Sequence, residues 1–317
     1  MSGPLMSPDS LTIGVGRAHG KAILLGEHAV VYGAPALAIP VPQLPVTATA
    51  TRRPGPVSFA IARPGNPTMT LLATEGLRHL VAEFQQRAGI AEPIGADLLI
   101  DCAIPPGCGL GSSAACARAS VLALADAFDR RLDGRQVFDI VQVAETVAHG
   151  QASGVDALTT GSASPLLFQA GTARDLVAGN GVLVIADSGT SGSTREAVDL
   201  VRRRAEQAPA AHEEFVRRVA QLTEAAARDL EHGRLTALGE RMTENHELLR
   251  NAGISTDLID ALVESALAAG ALGAKISGGG LGGCMIALAG EPAGAEAVAQ
   301  RLRDAGAIRT WLVSHAR

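Results

Sequence analysis

Apolar residues in the first third of the chain fall in short runs, as they do in strands. Residues 11–16, 21–25 and 45–51 alternate or run through apolar and β-branched side chains. ADLLIDCA at 96–103 does so again, just before the Pro105-Pro106-Gly107 breaker. Between them, residues 74–88 have helical spacing. From residue 112 the period lengthens. An Ala/Leu-rich stretch predicts a helix over 112–128, and a second over 135–149 sets Val137, Ile140, Val141 and Ala144 on one face. VLVIAD at 182–187 reads as a buried strand, and residues 194–269 are almost entirely helical in pattern. A strand (272–276), a glycine-rich loop (277–283), a strand (284–289), a helix (292–305) and a strand (308–313) follow. Strands mix with helices on both sides of a polar, glycine-punctuated stretch at 175–181. The pattern therefore predicts an α+β class in two domains, 11–178 and 179–317.

Composition narrows the partners. With 47% hydrophobic and 19% charged residues in 317, the chain has enough apolar content to fold rather than remain disordered. The net charge is −5 and no Lys/Arg stripe is interleaved with aromatics, so no nucleic-acid partner is expected. The apolar run from Ala29 to Val41 is cut by Gly33, Pro35 and Pro40, which is too short for a membrane span. Residues 1–10 have neither a basic nor an apolar signal region and read as a tail. Cys102, Cys108, Cys116 and Cys284 form no Cys-x-x-Cys pair and have no histidine at zinc-ligand spacing. They are expected to be free thiols in a reducing cytoplasm. All but two of the 27 basic residues are arginine; the exceptions are Lys21 and Lys275, each within or beside a glycine-rich segment. Their retention reads either as chance or, for Lys21, as a need for a compact ammonium that a planar guanidinium does not supply.

Four segments carry candidate chemistry. In PPGCGLGSSA (105–114) a strand leads into alternate glycines, and two serines open a helix. Glycines allow close backbone approach, and a helix start presents unpaired N–H groups and a positive dipole end, which together favour a phosphate. The dinucleotide fingerprint is disfavoured by the Pro-Pro pair and by the lack of a downstream acid, and Gly20-Lys21-Ala22 does not complete a P-loop. In GKAILLGEHAVVYG (20–33), Lys21, Glu27 and His28 bracket an apolar strand. As bare residues they are equally readable as charges at strand ends. Glu145 falls on the apolar face of its helix, where a lone carboxylate costs several kcal/mol, so it must be paired or hold a cation. Asp156 in SGVDA is either a functional acid or a turn cap. KISGGGLGGCM (275–285) holds more glycine than a hairpin turn needs and suggests a second loop facing phosphate.

Taken together, these segments resemble the GHMP kinase superfamily. GEHAVVYG (26–33) followed by Ala34-Pro35-Ala36-Leu37-Ala38 is similar, within it, to the mevalonate kinase family. The resemblance implies an N-terminal domain like ribosomal protein S5 domain 2, a ferredoxin-like C-terminal domain, and ATP in the cleft between them. It implies that Asp156 is the catalytic base with Lys21 beside it, and that Ser113 (or Ser112) and Glu145 hold Mg²⁺. Glu27, His28 and Thr194 would join Lys21 and Asp156 around the substrate. Pro106, Gly107, Cys108, Gly109, Leu110, Gly111, Ser112, Ser113 and Ala114 would bind ATP. The implied reaction is transfer of the γ-phosphate of ATP to the 5-hydroxyl of mevalonate, on the route to isoprenoids, by a cytoplasmic homodimer. The alternatives are a phosphomevalonate, homoserine or galactose kinase of the same superfamily, or a non-catalytic nucleotide-binding protein on the same fold. Four departures stand out: Cys108 replaces a common alanine, His19 a common proline, Ala157 an asparagine, and Gly279 and Leu281 alter the third loop.

Overall fold

The computed structural model describes residues 12–63, 66–72, 74–150, 152–177 and 179–314. The stretch read as an N-terminal tail and the boundary position 178 lie outside them. In the first half, β1 (Ile13–Leu25), β2 (Ala36–Arg52), β3 (Ser58–Arg63) and β4 (Asn66–Leu72) are followed by α1 (Glu75–Arg87) and β5 (Ala96–Cys102). Next come α2 (Ser112–Ala127), α3 (Gly134–His149), the single turn α4 (Val155–Thr159), β6 (Leu166–Gln169) and β7 (Thr172–Asp175). These strands form one sheet in the order β4-β3-β5-β2-β6-β7, with β1 also paired to β2. The β3–β5 pair is parallel and the remaining pairs are antiparallel.

The expected strands at 11–16 and 21–25 are one strand. Arg17 and His19 interrupt the apolar pattern between them, but β1 continues through a register shift at His19/Gly20. The expected 45–51 strand is only the second half of β2. Pro40, Pro42 and Pro45 disguise its first half, and Pro45 stands opposite His19 beside that shift, where a missing N–H is tolerated. β3, β4, β6 and β7 were not expected at all.

Helix α2 explains its own composition. It is buried on almost every side, so it needs small apolar residues rather than an amphipathic stripe. It rests on β1 at Gly16, where a Cβ would come within 2.5 Å of the Ala123 backbone nitrogen. Only glycine facing alanine permits that approach.

The second half contains β8 (Val182–Asp187), α5 (Thr194–Gln207), α6 (Pro209–Glu231), α7 (Leu235–Asn251) and α8 (Asp257–Ala268). It then runs through β9 (Gly273–Ser277), β10 (Cys284–Ala289), α9 (Pro292–Asp304) and β11 (Arg309–Ser314). Its sheet is antiparallel, ordered β11-β8-β10-β9. That order, with helices after the first and third strands, is the ferredoxin-like arrangement. One apolar core reaches into both sheets. It joins Leu24, Val46 and Ile100 to Ile185, Ile286 and Val313. A second core fills the space between the other face of the smaller sheet and α8 and α9.

Candidate functional site

The end of β1, the β5–α2 loop, α3, α4, the start of α5 and the β9–β10 loop converge on one cleft of ≈ 240 Å³. The β5–α2 loop forms one wall. Gly107, Gly109 and Gly111 all have positive φ, which coils the loop so that residues 107–113 line the cleft. Gly111 caps α2 without a side chain, so the unpaired N–H groups of the first helical turn are not taken by a cap. A Cβ on Gly111 would sit 2.8 Å from Cγ of Lys21. The same glycine thus makes room for the lysine. The glycine-rich β9–β10 loop packs against this wall: a Cβ on Gly109 would lie 3.0 Å from Cα of Gly278. Gly278 and Gly279 line the cleft despite the altered sequence of their loop.

Against the loop, where the Lys21 N–H donates to the Leu110 carbonyl at 3.0 Å, Lys21 Nζ and Asp156 Oδ1 are 2.8 Å apart. Lys21 is buried and Asp156 is about one-third exposed to the cleft. β1 carries the lysine along the sheet and α4 brings the carboxylate back from far along the chain. Beside this pair, Ser113 Oγ donates to Glu145 Oε1 at 2.6 Å. Ser112 points elsewhere, its hydroxyl 3.6 Å from Cys102 Sγ. Of the two serines, Ser113 is therefore the one that shares a site with an acid. Burial pushes the Glu145 carboxyl up to about 7. The Ser113 hydrogen bond works against that shift, the charge of Asp156 adds to it, and Lys21 opposes it.

Glu27 and His28 both reach the cleft, by different means. Glu27 forms a buried ion pair with Lys275, which also donates to the Ile276 carbonyl at 2.6 Å. Burial lowers the Lys275 pKa, and the charge of Glu27 and its hydrogen bond oppose this. The second carboxylate oxygen of Glu27 has no hydrogen-bond partner although it is buried. His28 adopts φ 62°, a strained backbone for a non-glycine residue, held where the chain leaves β1. Its Nε2 lies 2.9 Å from the Gly279 carbonyl. A carbonyl only accepts, so Nε2 carries the proton and donates. Burial lowers the His28 pKa to about 4. The Gly279 bond opposes the shift and Lys275 adds to it. The ring is therefore neutral at pH 7, with its lone pair on Nδ1. Thr194 opens α5 and lines the cleft next to Gly279.

The residues singled out in the sequence thus meet around one cleft, apart from Pro106 and Ala114 at the flanks of the loop, which do not line it. Sequence reading missed the role of Lys275 as partner of Glu27, and it missed Gln142. Gln142 lines the cleft from α3, donates to the Ala152 carbonyl at 2.5 Å and keeps a buried carbonyl oxygen without a partner. The rarity of lysine pointed to Lys275. Gln142 gave no comparable signal.

Family models agree with this geometry. The one described as GHMP kinases N terminal domain matches residues 74–162, and the one described as GHMP kinases C terminal matches residues 226–308. The mevalonate kinase of Pyrococcus horikoshii is 31% identical, with 92% of each chain covered. The chain belongs to the GHMP kinase family. Among solved GHMP kinase structures, mevalonate kinase from L. major in complex with R-mevalonate superimposes with a TM-score of 0.80 at 25% identity, covering 98% of this chain and 99% of that one. Mevalonate kinase from methicillin-resistant Staphylococcus aureus gives 0.71 at 29% identity, covering 96% and 99%.

The donor set of this GHMP kinase suits magnesium. A hard cation takes oxygen ligands, and here a serine hydroxyl and a buried carboxylate adjoin a second carboxylate at Asp156. The raised Glu145 pKa marks a carboxylate whose charge the protein alone stabilises poorly and a cation would stabilise well.

Proposed function

We infer that this protein is a mevalonate kinase, transferring the γ-phosphate of ATP to the 5-hydroxyl of mevalonate to give 5-phosphomevalonate and ADP. The observation that carries the mechanism is the Lys21–Asp156 pair set beside the glycine loop in the same cleft. Phosphoryl transfer needs positioning and charge neutralisation more than covalent help. The loop 107–111 and the start of α2 receive the phosphates. Ser113 and Glu145 would hold a magnesium ion, which would supply positive charge to the phosphate oxygens. Asp156 accepts the proton of the 5-hydroxyl as that oxygen attacks the γ-phosphorus, and ADP departs from the opposite side. Lys21 sets its positive charge beside the Asp156 carboxylate, where it favours the negative charge that develops on the attacking oxygen. His28 is neutral, so it does not act as a cation toward the mevalonate carboxylate. Its Nδ1 accepts a hydrogen bond from a substrate hydroxyl, and Thr194 offers a hydroxyl on the same side.

An ADP-release assay with ATP and Mg²⁺ across mevalonate, phosphomevalonate, homoserine and galactose tests this reading. Turnover is expected with mevalonate. Asp156→Asn is expected to lose about 10²–10⁴ in kcat while nucleotide binding persists. Preference for another alcohol overturns the substrate assignment, and undiminished turnover by Asp156→Asn overturns the role of the base.

A further inference from the structure

Behind the phosphate loop, away from the Lys21–Asp156 pair, three further side chains meet. Cys108 belongs to the loop, Asp187 ends β8 and Cys284 begins β10, directly opposite Asp187 in the β-ladder. All three are buried, and their ligand atoms (two sulfurs and a carboxylate oxygen) lie within 4.8 Å of one another. We propose that Cys108, Asp187 and Cys284 bind a thiophilic divalent cation of the zinc class, tying the phosphate loop to the C-terminal sheet.

Three arguments support this. The first is donor chemistry. Two thiolates and a carboxylate are the ligands a borderline-soft, tetrahedral ion selects, and Mg²⁺ is not served by sulfur. With metal–sulfur bonds of about 2.3 Å and metal–oxygen bonds of about 2.0–2.2 Å, tetrahedral ligands stand roughly 3.5–3.8 Å apart. The three side chains therefore need little movement. Asp187 and Cys284 are fixed on adjacent strands. Asp187 is further oriented by the Gly189 N–H, which donates to Oδ1 at 2.9 Å. The loop is held against them by Gly192 N–H donating to the Gly107 carbonyl at 3.1 Å. Gly283 is so close to it that a Cβ there would lie 3.2 Å from the Cys108 carbonyl carbon.

The second argument is charge. The cation binds by displacing one proton from each thiol to solvent. The site then holds two thiolates, one carboxylate and a doubly charged ion, and its net charge remains that of the carboxylate alone. Loading it adds no net charge to the interior. The third is access. A cavity of ≈ 330 Å³ lined by Arg63, Thr190, Ser191 and Arg309 opens on Cys108 and Asp187. It gives the ion an entry route and leaves room for a water as fourth ligand. Local spacing in the sequence could not reveal such a site, because its ligands come from three distant segments.

The test uses the full-length protein, reduced and stripped of metal, titrated with Co²⁺ and with Zn²⁺ against a chromogenic chelator. One equivalent per chain is expected, with Co²⁺ giving thiolate charge-transfer absorption and the intense visible bands of a tetrahedral centre. Cys108→Ala, Asp187→Asn and Cys284→Ser should each weaken binding by at least ~100-fold, more than the loss of an outer-shell partner. Cys102→Ser should keep the full equivalent and the same spectrum. Cys108→Ala changes a side chain on a loop rather than in a strand and keeps the test valid if the strand variant Cys284→Ser does not fold. Absence of stoichiometric binding by the reduced protein overturns the proposal. So does a tetrahedral spectrum that survives Cys108→Ala, and so does a Cys108–Cys284 disulfide as the form that persists under reducing conditions.

Discussion

Glu145 shows how one side chain couples folding, metal binding and pH. Its carboxyl titrates near 7 instead of near 4.5 because burial penalises its charge. The folded state therefore holds this proton more tightly than the unfolded chain does. Its contribution to stability is fully present below about pH 4.5 and is lost as pH rises toward 7, where ionisation of a buried acid must be borne. A cation beside Ser113 favours the ionised form and removes that cost. Affinity for Mg·ADP should then fall by about tenfold per pH unit below 7, because the ion must displace a proton. Calorimetric titrations in two buffers of different ionisation enthalpy read this directly: proton release on binding at pH 6, and little at pH 8. Glu145→Gln should abolish both the release and its pH dependence. If wild type and variant release the same protons, the coupled group is another one.

At the scale of elements, α3 holds Glu145 in place and its start is built for the task. Asp133 accepts from the Gln136 N–H at 2.8 Å, and the Gln136 side chain accepts from the Asp133 N–H at 2.9 Å. This reciprocal capping box satisfies two otherwise unpaired amides. Asp133→Ala should cost ~1 kcal/mol, seen as a fall of a few degrees in Tm, with kcat unchanged because the cap lies more than two turns before Gln142, where α3 first lines the cleft. A drop in kcat at full stability would show that α3 transmits more than its position. Helices such as α2 and α3 were legible in the sequence because their period runs over many residues. The phosphate loop was legible because its glycines and serines are local. β3, β4, β6 and β7 were not: they are short and lie toward the sheet edges, where, among the described residues, β4 and β7 each pair only with the strand just before them. The Glu27–Lys275 pair was hidden for another reason: 248 positions separate its members. Glu27 taken alone resembled a charge at a strand end.

In the whole molecule, the two sheets do not have separate cores on either side of the cleft. Ile185, Ile286 and Val313 of the smaller sheet share a core with Leu24, Val46 and Ile100 of the larger one. Polar links cross the same junction. Ser277 Oγ lies 3.3 Å from both the N–H and the carbonyl of Ile23, accepting from one and donating to the other. His28 joins Gly279, and Glu27 joins Lys275. Halves that share a core should unfold together even though each has its own sheet. The chain contains one tryptophan, Trp311, on β11 and packed against the shared core. Its fluorescence reports on the second half, whereas far-ultraviolet circular dichroism reports on both. On urea unfolding the two transitions should coincide. Glu27→Gln leaves the Lys275 ammonium buried without a counter-charge and should cost about 3–5 kcal/mol. Glu27→Gln combined with Lys275→Met removes the orphaned charge and should recover most of that loss, with the two probes still coincident. Transitions that separate in the wild type would mean that the shared core contributes little cohesion. The cleft would then lie between two independently stable bodies, with the polar links alone setting their orientation.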